Sequence, residues 1–157
     1  MKKEKQSDIQ VIAKNRKAFF DYHIDEKLQA GLVLQGSEVK SLRDGQASLS
    51  DAYALIKSGE VWLVHAHIAP YGPASFTNHE PKRPRKLLLN RSEILKLTIK
   101  LKERGMTLVP TMLYFRNGRA KVELGLAHGK KKYDKRASIK ERESKRELSR
   151  AVRSRNR

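Results

Sequence analysis

Half of this chain's excess positive charge sits in its last thirty residues, and that unevenness limits what the chain can fold into. The 157 residues hold 35 Lys and Arg against 17 Asp and Glu, a net charge of +18. Residues 128–157 carry thirteen basic and four acidic side chains, net +9, and the first 127 residues carry the other +9. The larger apolar side chains of the final stretch are Tyr133, Ile139, Leu148 and Val152. Ile139 and Leu148 stand nine residues apart, which puts them on opposite sides of a helix. Such a segment has no apolar stripe to bury and cannot offset its own ordering entropy. The expected organisation is a flexible N-terminus over 1–8, one folded body over 9–132, and a basic tail over 133–157 that is disordered when free.

The tail nevertheless has helical features. From Lys135 to Arg157 there is no Gly or Pro. Glu141 and Lys145 form a favourable i,i+4 pair, while Arg142, Arg146 and Arg150 repeat at i,i+4 and repel one another on an isolated helix. Against phosphates the same stripe becomes attractive, so the segment reads as a latent helix that forms on RNA. A soluble chain of this charge seeks a polyanion, nucleic acid before an anionic membrane surface. No apolar run reaches the roughly 18 residues of a membrane span, and no long apolar segment follows the charged start, so neither a membrane protein nor a secretory signal is expected. With no cysteine, disulfides, thiolate metal sites and a catalytic thiol are excluded, which suits the cytoplasm.

The body reads as mainly β. Ala18–Asp25 alternates as a strand with Phe20, Tyr22 and Ile24 on one face, and Leu28–Leu34 is a second candidate. Gly36–Gly45 reads as a short helix capped by Ser37. Asp51–Ile56 and Val61–Ile68 are strands joined around Ser58-Gly59. Pro70–Pro84 is a long loop. Asn90–Arg104 is the clearest helix, with Ile94, Leu95, Leu97 and Leu101 as its apolar face. Thr107–Phe115 and Arg119–Leu126 form a hairpin across Asn117-Gly118. About six short strands in so small a chain predict an OB-type antiparallel barrel with inserted short helices, an architecture that removes exposed edges and often binds oligonucleotides.

Signatures of chemistry are weak. His65-x-His67 lacks the third and fourth ligands of a zinc site, with His79 across a proline-rich loop. Gly129-Lys130 fails as a phosphate loop, because Leu124 and Lys131 stand where Gly and Ser or Thr are required. Asp21, Asp25 and Glu26 sit among Lys17 and Lys27 and read as surface ion pairs. The expectation is no enzyme and no cofactor. The remaining signal is basic: Asn15-Arg16-Lys17, Lys40 with Arg43, the cluster Lys82, Arg83, Arg85 and Lys86, then Lys121, and Lys130-Lys131-Lys132. Several such sites on one barrel point to a structured RNA read through phosphates, 2′-hydroxyls and shape.

Four ordered motifs, Asn15–Ala18, Gly36–Arg43, Arg83–Leu89 and Gly129–Arg136, resemble the bacterial SsrA-binding protein family, also called small protein B. The resemblance runs from about Ile9 to about Arg142. It implies an adaptor of trans-translation that binds the tRNA-like domain of transfer-messenger RNA and delivers it, with elongation factor Tu and GTP, to a stalled ribosome. It also implies a tail that enters the decoding region and the empty mRNA channel as a helix. The family's RNA-contact positions fall on Asn15, Gln29, Leu88 and Lys121, with Gly31 in the same Gln29-Ala30-Gly31 sequence. The family usually has Glu where this chain has Gln29, and Gln keeps an acceptor while adding a donor. In the tail Asp134-Lys135-Arg136 is intact. Some relatives carry a bulky aromatic at the position of Ser144, which leaves Ile139 with Lys140, Arg142 and Arg146 as the channel anchor. A monomer is expected. The alternatives are a ribosomal or ribosome-assembly protein that binds rRNA and, further off, an RNA-processing enzyme.

Overall fold

The computed structural model describes residues 8–72, 78–103 and 105–155. Most of the N-terminus expected to be flexible (1–7), part of the 70–84 loop, and the last two tail residues lie outside them. The elements in chain order are β1 (Ile9–Lys14), α1 (Arg16–Asp21), β2 (Tyr22–Leu32), α2 (Gly36–Arg43), β3 (Ala47–Ser48), β4 (Tyr53–Lys57), β5 (Glu60–Val64), β6 (His67–Ile68), β7 (Arg85–Leu88), α3 (Arg91–Leu101), β8 (Met106–Arg116), β9 (Arg119–Gly129) and α4 (Lys132–Arg155). Strands pair in the order β1-β8-β4-β5-β7-β2-β9, and β9 pairs again with β8. Six strands therefore close into an antiparallel ring, and β1 lies outside it against β8. Closure leaves no bare edge within the ring. The inward side chains include Val61, Leu63, Leu87, Leu108, Leu113, Val122, Leu124 and Leu126, all essentially inaccessible.

Both hairpins expected from sequence form two-residue turns. Ser58 and Gly59 have φ of 52° and 73°, and Asn117 and Gly118 have 51° and 77°. Two consecutive positive φ values give the turn whose twist matches paired strands, and Asn-Gly accepts that conformation readily. They set Lys57 opposite Glu60 and Arg116 opposite Arg119.

Five expectations need correction. The expected strand from Ala18 begins as a helix: α1 runs from Arg16 to Asp21, so Phe20 is helical and only Tyr22 and Ile24 enter the strand. The cause is Asn15, whose Oδ1 accepts the Ala18 N–H at 3.1 Å and starts the helix. The two strand candidates after it are one strand, β2, bent by a bulge between Ile24 and Glu26. Helix α2 is capped by Gln35, not Ser37; Glu38 reaches back to the Gln35 N–H at 2.9 Å in a reciprocal capping box. The Val61–Ile68 strand breaks at His65, where φ is 60°, so His65 and His67 do not share one strand. In α3, Leu97 is buried but Leu95 is exposed, and Asn90 with Glu93 forms the capping box.

One polar group is sealed inside the barrel end under α2. Glu38 and Arg85 are both fully buried and ion-paired, and Arg83 binds the same carboxylate through Nε at 3.0 Å. Arg85 also donates to the carbonyls of Ala66 at 2.6 Å and Pro81 at 2.9 Å. Burial opposes ionisation of Glu38. The hydrogen bonds from Arg83, the Gln35 N–H and Arg85 outweigh it and hold the carboxyl below the ordinary value of 4.5. Next to this network His79 is buried, its ring bridging Ser37 Oγ and the Ile68 carbonyl, each at 2.9 Å. These contacts tie α2, the loop after β6 and β7 into one unit.

Removing one member of such a network leaves the others buried and uncompensated. Glu38→Gln is expected to cost about 3–5 kcal/mol of unfolding free energy, measured by urea denaturation at neutral pH. Because the folded pKa of Glu38 lies below its unfolded value, its contribution is complete above the ordinary carboxylate pKa and is lost as pH falls through the lowered one. The stability gap between wild type and Glu38→Gln should therefore narrow on acidification below about pH 4.5. A second test lies at Gly125, where a Cβ would stand 2.9 Å from Ile24 Cγ2 and 3.2 Å from Thr111 Cγ2. Gly125→Val should lower the melting temperature more than Ala120→Val, which faces less crowding in the same strand.

Candidate nucleic-acid interface

The outward side chains of three adjacent strands line up in one row. Gly31 of β2 is opposite Leu88 of β7 on one side and Lys121 of β9 on the other. Inward neighbours alternate with them, since Ala30, Leu87 and Val122 are all buried. Gly31 matters here for closeness: a Cβ at this position would lie 3.1 Å from Leu88 Cβ. Leu88 instead lies against the backbone of Gly31 and remains 53% exposed. A groove of about 350 Å³ runs along this row, with Leu34, Val39 and Arg119 also on its walls. Gln29 is exposed two residues along β2 and accepts from Arg116 Nη1 at 3.2 Å. An apolar ledge rimmed by Arg116, Arg119 and Lys121 can seat a sugar or base edge and hold the phosphates beside it.

The other basic residues predicted from sequence fall into separate groups. Lys40 and Arg43 lie on the exposed side of α2, the helix whose Val39 forms part of the groove, and Lys40 Nζ stands 5.6 Å from the Tyr71 ring centre. Lys86 is outward on β7 and paired with Glu60 at 3.0 Å. Arg16 and Lys17 are exposed on α1, Lys17 facing Asp51 at 3.6 Å. Two predicted contact residues are turned inward. Asn15 is buried and spends its side chain on the fold: besides capping α1, its Nδ2 donates to the carbonyls of Leu49 at 3.1 Å and Pro110 at 2.8 Å. Arg85 is fully buried on Glu38. Arg83 is mostly covered by the same pairing. These three shape the surface from behind.

At the far end of the β2–β9 pair the barrel hands over to the tail. Tyr22 pairs with Gly129 there, nine residues along β2 from Gly31 and its partner Lys121. At ~3.3 Å per strand residue the two ends are about 30 Å apart. Lys130 donates to Ser138 Oγ at 3.1 Å, and the Lys131 N–H donates to Asp134 Oδ2 at 3.3 Å. The side chain of Lys132 lies outside the described residues. Asp134 is 3.5 Å from His23 Nε2, and Lys135 pairs with Asp21 at 3.3 Å. Lys135 and Arg142 both stand about 6 Å from the Phe20 ring centre. Arg136, Ile139 and Lys140 are exposed, as is every described residue from Glu141 to Arg155. Arg142, Arg146, Arg150 and Arg153 line one side of α4, and the Glu141–Lys145 pair forms at 3.2 Å.

Sequence reasoning missed Glu38 as the residue that orders Arg83 and Arg85. The Gln-x-x-Glu spacing at the start of α2 carried that signal. It also missed Arg119, whose place in the groove follows from its position immediately after the Asn117-Gly118 turn. Among the described residues no three His, Asp or Glu side chains gather as a metal site, and no described helix is long and apolar enough to cross a membrane.

A family model described as SmpB protein matches residues 12–154. The SsrA-binding protein of Thermobifida fusca (strain YX) is 60% identical over 154 residues, 98% of this chain and 96% of its own length. That of Myxococcus xanthus (strain DK1622) is 60% identical over 147 residues, covering 94% and 91%. A solved chain described as "tmRNA-SmpB: a journey to the center of the bacterial ribosome" matches with a TM-score of 0.65 at 46% identity, covering 76% of this chain and 85% of that one. Matches of this extent take in the closed barrel, the groove residues and nearly all of α4, and the chain belongs to the SmpB family of SsrA-binding proteins.

Proposed function

We propose that this chain is an RNA-binding adaptor without catalytic activity. It binds the tRNA-like domain of transfer-messenger RNA and carries it to stalled ribosomes for trans-translation. The observation that carries this reading is the separation of two cationic elements by one rigid strand pair. The groove of Gly31, Leu88 and Lys121 stands at one end of β2–β9, and the arginine-lined α4 leaves from the other. A single ligand-binding module needs only one of them, whereas a bridge between two RNA surfaces needs both.

In this reading the groove grips the folded RNA, with Arg16, Lys17, Lys40, Arg43 and Lys86 adding phosphate contacts around the barrel. Helix α4 enters the decoding region of the small subunit and the empty mRNA channel. It has no apolar face to anchor it on the barrel, and its arginine stripe repels itself, so the segment orders against ribosomal phosphates and is loose without them. Asp134, Lys135 and Arg136 set its base, and Ile139, Lys140, Arg142 and Arg146 follow along the helix. Elongation factor Tu with GTP is engaged through the shared RNA rather than through this chain. The protein acts as a cytoplasmic monomer.

Two outcomes separate the roles. Lys121→Ala should weaken binding to transfer-messenger RNA and reduce the slope of log affinity against log salt by about 1, read by gel shift at several salt concentrations. Truncation before Asp134 should leave that affinity largely unchanged and abolish peptide tagging in a reconstituted stalled-translation assay. Equal affinity for transfer-messenger RNA, a matched tRNA and a DNA duplex at one salt concentration contradicts the reading, as does loss of RNA binding on tail truncation alone.

A further inference from the structure

A second surface, on the β4–β5 hairpin, lies beside the groove. On the β4–β5 hairpin the inward residues Val61 and Leu63 are fully buried, so Glu60, Trp62 and Val64 point outward. Leu55 is opposite Trp62 and Lys57 opposite Glu60. Together with Pro84 they bound a mostly apolar depression of about 510 Å³, within the ~300–1,000 Å³ range of small-molecule sites. Trp62 is the only tryptophan of the chain, and it is only partly covered.

Its position and charge select the occupant. Trp62 pairs across the sheet with Lys86, and Leu88, the ledge of the groove, is the next outward residue on β7. The depression therefore continues the groove along the same sheet face. Glu60 is already tied to Lys86, while Lys57 is exposed and has no ion pair among the described residues. A second copy of a +18 chain is repelled from this face, and a polyanion is attracted to it. We infer that the depression receives an unstacked nucleobase of the same folded RNA that fills the groove, stacked on Trp62, with Lys57 on the adjoining phosphate. Strand-borne aromatics flanked by cations bind bases in this way. The inference rests on the RNA-binding reading above, and it adds a base-stacking subsite to it.

The full-length chain and transfer-messenger RNA provide the test, because one tryptophan gives one fluorescence signal. Trp62 emission should be quenched as RNA is added, saturating together with the gel shift. Trp62→Ala should weaken binding by about 5- to 150-fold, the range for one stacked base, and Trp62→Phe should restore most of the affinity. Lys57→Glu should lower the salt slope by about 1. If Trp62→Ala fails to fold, the wild-type emission and Lys57→Glu decide alone. A normal gel shift with unchanged emission and unchanged affinity in the variants overturns the subsite and leaves the RNA-binding reading intact. Self-association of wild type in sedimentation, lost in Trp62→Ala, overturns it in favour of a second copy. Absence of any preferential shift with wild type removes the RNA-binding reading and the subsite with it.

Discussion

The antiparallel pairing of β2 with β9 is the constraint on which the rest of the molecule depends. It supplies the last seam of the barrel, since β9 also pairs with β8 and so joins the two ends of the sheet. It sets Gly31 beside Lys121 at one end and Tyr22 beside Gly129 at the other. A slip of one residue would turn Gln29, Gly31 and Lys121 into the core and bring Ala30 and Val122 to the surface. Register is therefore fixed by burial, and the two cationic regions inherit their spacing from it. Gly125 permits the closest approach along this seam, because Ile24 and Thr111 fill the space a side chain would need.

Beside the strand pair, a buried ionic cluster fixes α2 against β7. Glu38 brings Arg83 and Arg85 together under α2, while His79 ties Ser37 to the Ile68 carbonyl. Replacing a buried ionic cluster by apolar side chains of similar volume is often neutral in stability, so the cluster's contribution here is better seen as positional. It holds β7 so that Lys86 and Leu88 face outward while Arg85 and Leu87 face in. The outward pair then joins the groove to the depression around Trp62. At the tail end the contacts are of another kind, ion pairs and cations over the Phe20 ring. Those are weakened by salt and by competing phosphates, as the proposed movement of the tail onto ribosomal RNA requires.

Much of the fold could be read in the sequence because local chemistry decides it. Ser58-Gly59 and Asn117-Gly118 turn where positive φ is needed, and the alternation of Val122, Leu124 and Leu126 identifies β9 and its inward face. Several of the failures share a cause: a side chain whose partner is far away in sequence. Asn15 looks like a free polar residue until Leu49 and Pro110 provide acceptors from 34 and 95 residues away. Arg85 reads as one of a basic cluster, and only Glu38, 47 residues earlier, shows why it is inside. In strand β1 only Ile12 and Ala13 reach the core and the other four residues are exposed, so the strand depends chiefly on its pairing with the distant β8. The groove was legible in part. Family resemblance supplied Leu88 and Lys121, whereas Arg119, Val39 and the neighbouring Trp62 depend on the tertiary arrangement.

The central claim is that barrel and tail engage different RNA surfaces from opposite ends of one rigid seam. Hydroxyl-radical footprinting of the full-length protein, free and bound to transfer-messenger RNA, tests it most directly. Leu88 and Leu148 are 53% and 68% exposed, so both report on what covers them. RNA should protect Leu88 and leave Leu148 as reactive as in the free protein. Protection of Leu148 with Leu88 unchanged would contradict it.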